Sequence, residues 1–251
     1  MKRSLYSLLT TVLLGSLFLA SSTRGDVFEL RTYTTNEGKL DNLNARFRDH
    51  TVRLFEKHGI HSVGYWVPTD AEQSKNTLIY VIRHKSRETA NASWKAFGSD
   101  PAWKKVAKES QLDGKILAKR PESVYMDEAD YSPKWTNGDA DKDDVFELRT
   151  YKAAPGKLGK LDARFRDHTI RLFERYGIRS VAYWHPSDEP DSKDILIYVI
   201  KHESKAAADK SWKAFLADAD WKKAARESGV GRLAQRPDSV YMTATDYSAI
   251  R

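Results

Sequence analysis

Val27-Phe-Glu-Leu-Arg-Thr-Tyr33 returns, letter for letter, as Val145-Phe-Glu-Leu-Arg-Thr-Tyr151. The offset of 118 then holds without a gap from Val27 to Ser110, with 52 identities in those 84 positions. After a two-residue deletion the match resumes: Arg120-Pro-Glu-Ser-Val-Tyr-Met126 answers Arg236-Pro-Asp-Ser-Val-Tyr-Met242. Self-similarity of this length marks one structural unit used twice. The stretch between the copies, Asp127 to Asp144, is acidic and carries Pro133 and Gly138, so it reads as a connection. The chain therefore divides into a first repeat at 27–131, a linker at 132–144 and a second repeat at 145–247.

Within each copy the periods give the order of elements. Val27–Tyr33 alternates and is rich in strand formers. Leu40, Leu43, Phe47, His50 and Leu54 fall at helical spacing, in a helix that Gly59 ends. Ser62–Val67 and Thr77–His84 read as strands, the latter apolar throughout its centre and so buried on both faces. Ser86 caps a second helix, Asp100-Pro101 opens a further helical turn, and Ser123–Met126 is the last strand. The order β-α-β-β-α-β is the ferredoxin-like plan, an α+β unit with helices on one sheet face and nothing on the other. Two tandem copies can bury their bare faces together, giving an intramolecular α/β barrel with the helices outside.

Composition sets the compartment and removes whole classes of chemistry. Lys2 and Arg3, an uncharged apolar run from Leu5 to Ala20 and the small residues after it form the three parts of a signal peptide, residues 1–22. The run is short for a spanning helix, so the expectation is an exported protein, periplasmic or extracellular, without a stable membrane span after cleavage. With no cysteine in the chain, disulfides, thiolate catalysis and Cys-ligated metals are excluded. The formal net charge of +7, two units of it from Lys2 and Arg3, is spread evenly and gives no nucleic-acid footprint. No phosphate-binding glycine loop, His-Glu-x-x-His pair or Gly-x-Ser-x-Gly elbow occurs.

The Phe-Glu-Leu-Arg-Thr-Tyr opening, the Pro155-Gly156-Lys157-Leu158 helix entry, the Gly-Ile-x-Ser-Val-x-Tyr-Trp strand and Asp100-Pro-Ala-Trp103 together resemble the NIPSNAP domain. That resemblance covers both repeats and implies the dimeric α/β-barrel superfamily, with the second copy supplying the partner in cis and further oligomerisation left open. It carries no catalytic set to transfer. Relatives in the superfamily include cofactor-free monooxygenases and haem enzymes. The expected activity is thus the binding of a small molecule or partner through the barrel cavity, with a cofactor-free monooxygenase or isomerase as the alternative. No cofactor or metal is expected, and haem is the remoter option.

The polar candidates follow from position. Glu29, Arg31 and Tyr33 share one face of the first strand, Phe28, Leu30 and Thr32 the other. If the apolar set packs under the helices, the polar set and its copies Glu147, Arg149 and Tyr151 meet between the two sheets. There a paired arginine clamps an anion, or a Glu–Arg pair fixes the docking of the halves. His50 and His168 fall in the apolar stripe of the first helix, as core histidines, bases or haem ligands. His84 and His202 end the third strand beside Tyr80 and Tyr198, at a pocket mouth or in solvent. Trp94, Trp103, Trp212 and Trp221 sit at helical spacing, as helix-to-sheet core or as an aromatic platform.

Overall fold

Strand β1 (Val27–Thr34) is the hub of its repeat. It pairs antiparallel with β3 (Thr77–His84) on one side and with β4 (Glu122–Glu128) on the other. Strand β2 (His61–Pro68) lies outside β3. The second repeat builds β5 (Val145–Lys152), β6 (Arg179–Pro186), β7 (Ile195–His202) and β8 (Asp238–Ala244) in the same arrangement. The structure, a computed structural model, describes residues 25–134 and 144–250. The signal peptide read at 1–22 lies outside those residues, as does most of the linker. Among the described residues no helix is long and apolar enough to cross a membrane.

The two sheets close on each other in the order β1-β3-β2-β8-β5-β7-β6-β4. The seams are short: Trp66 to Pro68 of β2 pair with Met242 to Ala244 of β8, and Met126 to Glu128 of β4 pair with Trp184 to Pro186 of β6. Closure leaves no free edge strand. β4 therefore runs through Asp127 and Glu128, which the acidic composition had assigned to the connection. The tail after it crosses to the other half. Tyr131 stacks against Phe165 and bonds Asp162 at 2.7 Å, while Tyr247 stacks on Phe47 and bonds Asn44 at 2.8 Å. Each half's tail thus caps the other half's first helix.

That first helix is not uniform. α1 (Leu40–Arg46) and α2 (Val52–Lys57) are joined by a π turn at Phe47–Thr51, repeated between α5 (Leu158–Arg164) and α6 (Ile170–Arg175) at Phe165–Thr169. The Thr51 hydroxyl donates to the Arg46 carbonyl at 3.0 Å and the Thr169 hydroxyl to Arg164 at 3.1 Å, bridging the widened turn in both copies. The second helical layer is α3 (Arg87–Ser99) with α4 (Pro101–Glu109), and α7 (Lys205–Ala217) with α8 (Ala219–Glu227). Ser86 and Ser204 cap α3 and α7 and Asp100 and Asp218 cap α4 and α8, as the sequence predicts.

Three cores result. Phe28, Trp66, Met126, Phe146, Trp184 and Met242 fill the barrel interior from both halves. Phe28 meets Trp184, and Phe146 meets Trp66, with ring centroids 5.7 Å apart in each case. The other two cores lie outside the barrel, one per half, between sheet and helices. This inverts the expectation for β1. Phe28 and Leu30 point into the barrel, and Glu29, Arg31 and Tyr33 point outward under the helices. On the outer face an indole N–H from α3, a hydroxyl from β4 and an imidazole from β3 converge on the Glu29 carboxylate, whereas the interior is packed with aromatic and aliphatic side chains.

Candidate functional site

Glu29 is the centre of a buried polar cluster, 1% exposed. Its carboxylate accepts from the Trp94 indole at 2.8 Å and the Ser123 hydroxyl at 2.6 Å, lies 3.2 Å from His84 Nε2, and pairs with Arg31. Glu147 repeats this with Trp212 at 2.8 Å, Ser239 at 2.6 Å, His202 at 3.0 Å and Arg149. Burial alone would raise the pKa of each carboxyl. The imidazole contact, the arginine charge, the serine and the indole outweigh burial and bring both down to about 2. The anion is therefore the resting form.

The two clusters do not meet across the barrel. Each Glu–Arg pair is closed within its own half, so it cannot set how the halves dock, and the filled interior leaves it no shared space. Arg31 and Arg149 instead lie over the rings of Trp94 and Trp212, 4.5 and 4.4 Å from the centroids. These two tryptophans are at once core and hydrogen-bond donors. His84 and His202, expected near solvent, are each 1% exposed and spent on the glutamates. The end of β3 is covered by the second helical layer, which periodicity within one strand does not reveal.

His50 and His168 move the other way. The π turn adds about one residue to the winding, so the inward stripe passes from Phe47 to Thr51 rather than to position 50. Both imidazoles are exposed. His50 borders a polar groove of about 220 Å³ with Asp49 and Glu109, and neither His50 nor His168 is placed to ligate a buried haem. The remaining histidines hold local structure. His58 bonds Asp100 at 2.7 Å, a place that Tyr176 takes on Asp218 in the other half, His61 bonds Glu56, and His185 bonds the Ile195 carbonyl. Among the described residues no cluster of His, Asp or Glu could hold a metal ion.

Arg164, the last α5 residue before that π turn, stays on the inward stripe of Leu161, 7% exposed, and faces a cavity of about 410 Å³ between α5–α8 and the sheet. Arg149, Tyr151, Trp212, Phe215 and Trp221 form its walls, and the half-exposed Leu216 marks its rim. Arg46 and Arg164 were missed in the sequence. The available signal was a charged residue three places after Leu43 and Leu161 on the inward stripe. A wider hollow of about 610 Å³ lies beside the β8 seam, with Asp70, Lys205 and Tyr241 around it.

A family model for NIPSNAP matches residues 28–133 and again 146–249. The chain belongs to the NIPSNAP family. A NipSnap homologue of Dictyostelium discoideum is 29% identical over 140 residues, 55% of this chain and 54% of that protein, so the match spans about half the length of this curated relative. Among solved structures, a monooxygenase candidate from Fusobacterium nucleatum superposes with a TM-score of 0.58 at 12% identity, covering 88% of this chain and 92% of its own. One from Lactobacillus acidophilus gives 0.57 at 10% identity, covering 88% and 94%. At such identities the likeness is one of fold, and it extends over both NIPSNAP repeats.

Because the two NIPSNAP clusters share no partner, Arg31→Ala and Arg149→Ala should destabilise independently. Each leaves a glutamate buried without its cation, at a cost of about 1–3 kcal/mol. The double variant should equal the sum within about 0.5 kcal/mol. Denaturant melts of the three variants measure this; a double variant no worse than either single one would restore a shared network.

Proposed function

We propose that this NIPSNAP protein is exported and binds a small molecule between helices and sheet, one site per half. The supporting observation is the cavity under α7 and α8, whose twelve lining residues have eleven identical counterparts in the first repeat; the exception is Leu216 against Gly98. Across Val27–Ser110, 32 of 84 positions differ between the repeats. The lining of rings and arginines suits a ligand with a flat apolar body. It holds no carboxylate or imidazole to move a proton, which favours binding over acid–base catalysis. The site expected inside the barrel is thus moved outside it, because side chains fill the interior.

Export rests on Lys2 to Ser22, and N-terminal sequencing of the native product should find a start between Thr23 and Asp26. Binding is tested by organic extraction of the natively exported protein with mass spectrometry, and by quenching of tryptophan emission with the neutral probe N-phenyl-1-naphthylamine. A co-purifying molecule and saturable quenching at up to two sites per chain are expected. Neither appearing would remove the reading. A second reading, cofactor-free oxidation of the bound molecule, is supported by the barrel shared with the monooxygenase candidates. It requires a recovered compound one oxygen atom heavier after incubation in air.

A further inference from the structure

Four arginines lie between the sheets and their helices, two buried and two half-buried, and they fall into two kinds. Arg31 and Arg149 each have a glutamate. Arg46 and Arg164, each 7% exposed, have no carboxylate partner among the described residues. Among the described residues Arg46 reaches only the Ser110 hydroxyl, at a long 3.5 Å, and it lies 5.4 Å from the Trp103 ring centre. Arg164 has the Trp221 ring at 5.1 Å and no hydrogen bond among the described residues, and the Nε atoms of both are buried without an acceptor. A guanidinium taken out of water with nothing opposite it is costly, and the chain carries this arrangement twice.

We propose that Arg164, and Arg46 in the first half, seat the carboxylate of a monoanionic ligand whose aromatic body lies among the surrounding rings. This rests on the reading of the cavity as a binding site. The charge balance sets the monoanion. Glu147 neutralises Arg149, so Arg164 leaves one positive charge facing the cavity. Polar capacity sets the small head group. The Thr169 hydroxyl is spent on the Arg164 carbonyl, and the Tyr151 hydroxyl already accepts from Arg149 at 3.3 Å. A sugar or a phosphate ester would find too few partners, whereas one planar carboxylate matches one guanidinium fork. Burial pushes the pKa of Arg46 and of Arg164 below the ordinary arginine value, with nearby tyrosines opposing it, and a seated anion would reverse that.

The probes are 2-naphthoate and its neutral isostere 2-naphthamide, titrated calorimetrically into the full chain. The wild type should bind the carboxylate at least about tenfold more tightly than the amide, the size of one charge-assisted hydrogen bond. In the Arg46→Met/Arg164→Met variant the ratio should fall towards one while amide binding persists, and Arg46→Lys/Arg164→Lys should keep part of the preference. Equal binding of the two probes by the wild type overturns the anion assignment and leaves the cavity reading standing, with no variant needed. Binding of neither probe removes the cavity as their site, and the assignment with it. A carboxylate preference that survives in the Met variant shows that the anion sits elsewhere.

Discussion

Glu29→Gln should lower the stability of the whole chain by about 3–5 kcal/mol, and Glu147→Gln by a similar amount. The glutamine keeps the volume of the side chain and removes only the charge. What it leaves is a buried guanidinium and imidazole with no anion, and an amide whose NH2 must face either the Arg31 and Ser123 donors or the Trp94 donor. For a chain of this length the shift in melting temperature is on the order of 10 °C. Acid supplies the second readout. Both carboxyls have a folded pKa of about 2, below the ordinary 4.5, so their contribution is fully present above about pH 4.5. It is lost as pH falls from there through 2, and amounts to about 3 kcal/mol for each. Other depressed carboxyls, Asp218 among them, add to the acid loss of the wild type, so the decisive quantity is the difference between profiles. Each Gln variant should show a flatter decline between pH 4.5 and 2 than the wild type. If Glu29→Gln melts like the wild type at neutral pH and in acid alike, the cluster has no structural weight and its residues become free for catalysis.

Cutting the chain between its halves should not separate them. A protease site placed within residues 135–143 and cleaved there leaves two strand seams, a barrel interior of aromatic and aliphatic side chains, and the reciprocal tails. Arg48–Asp246 and Arg166–Asp130 add bidentate contacts at the rim, at 2.6–2.9 Å. The nicked protein should elute as one species under native conditions and split only in denaturant. The fragment 27–134, made alone, should form a homodimer. Its last strand, Glu122-Ser-Val-Tyr-Met, is nearly that of the partner it has lost, Asp238-Ser-Val-Tyr-Met, and its apolar face cannot remain in water. A well-behaved monomer of this fragment would mean that the closed barrel is not what holds either half together.

The repeat, the order of elements and the fact of closure are all legible in the amino-acid sequence. A 118-residue offset that holds without a gap over 84 positions, 52 of them identical, can only be a unit used twice, and a sheet with one uncovered face must find cover. Caps at Ser86 and Asp100 and the twice-buried β3 were legible for the same reason: each is decided by contacts a few residues away or by an apolar run without alternation. The tertiary structure alone decided which way the alternating residues point. Period-two alternation in Phe28–Tyr33 divides six side chains into two sets, but it is symmetric and does not say which set faces the barrel. The outer face settled that, by bringing Trp94 of α3 and Ser123 of β4 to Glu29, where the interior is packed with aromatic and aliphatic side chains. The histidines were lost to the same kind of cause. Helical spacing assumes 3.6 residues per turn throughout, and one π turn at Phe47–Thr51 shifts the phase after Phe47, putting His50 in solvent and Thr51 in the core.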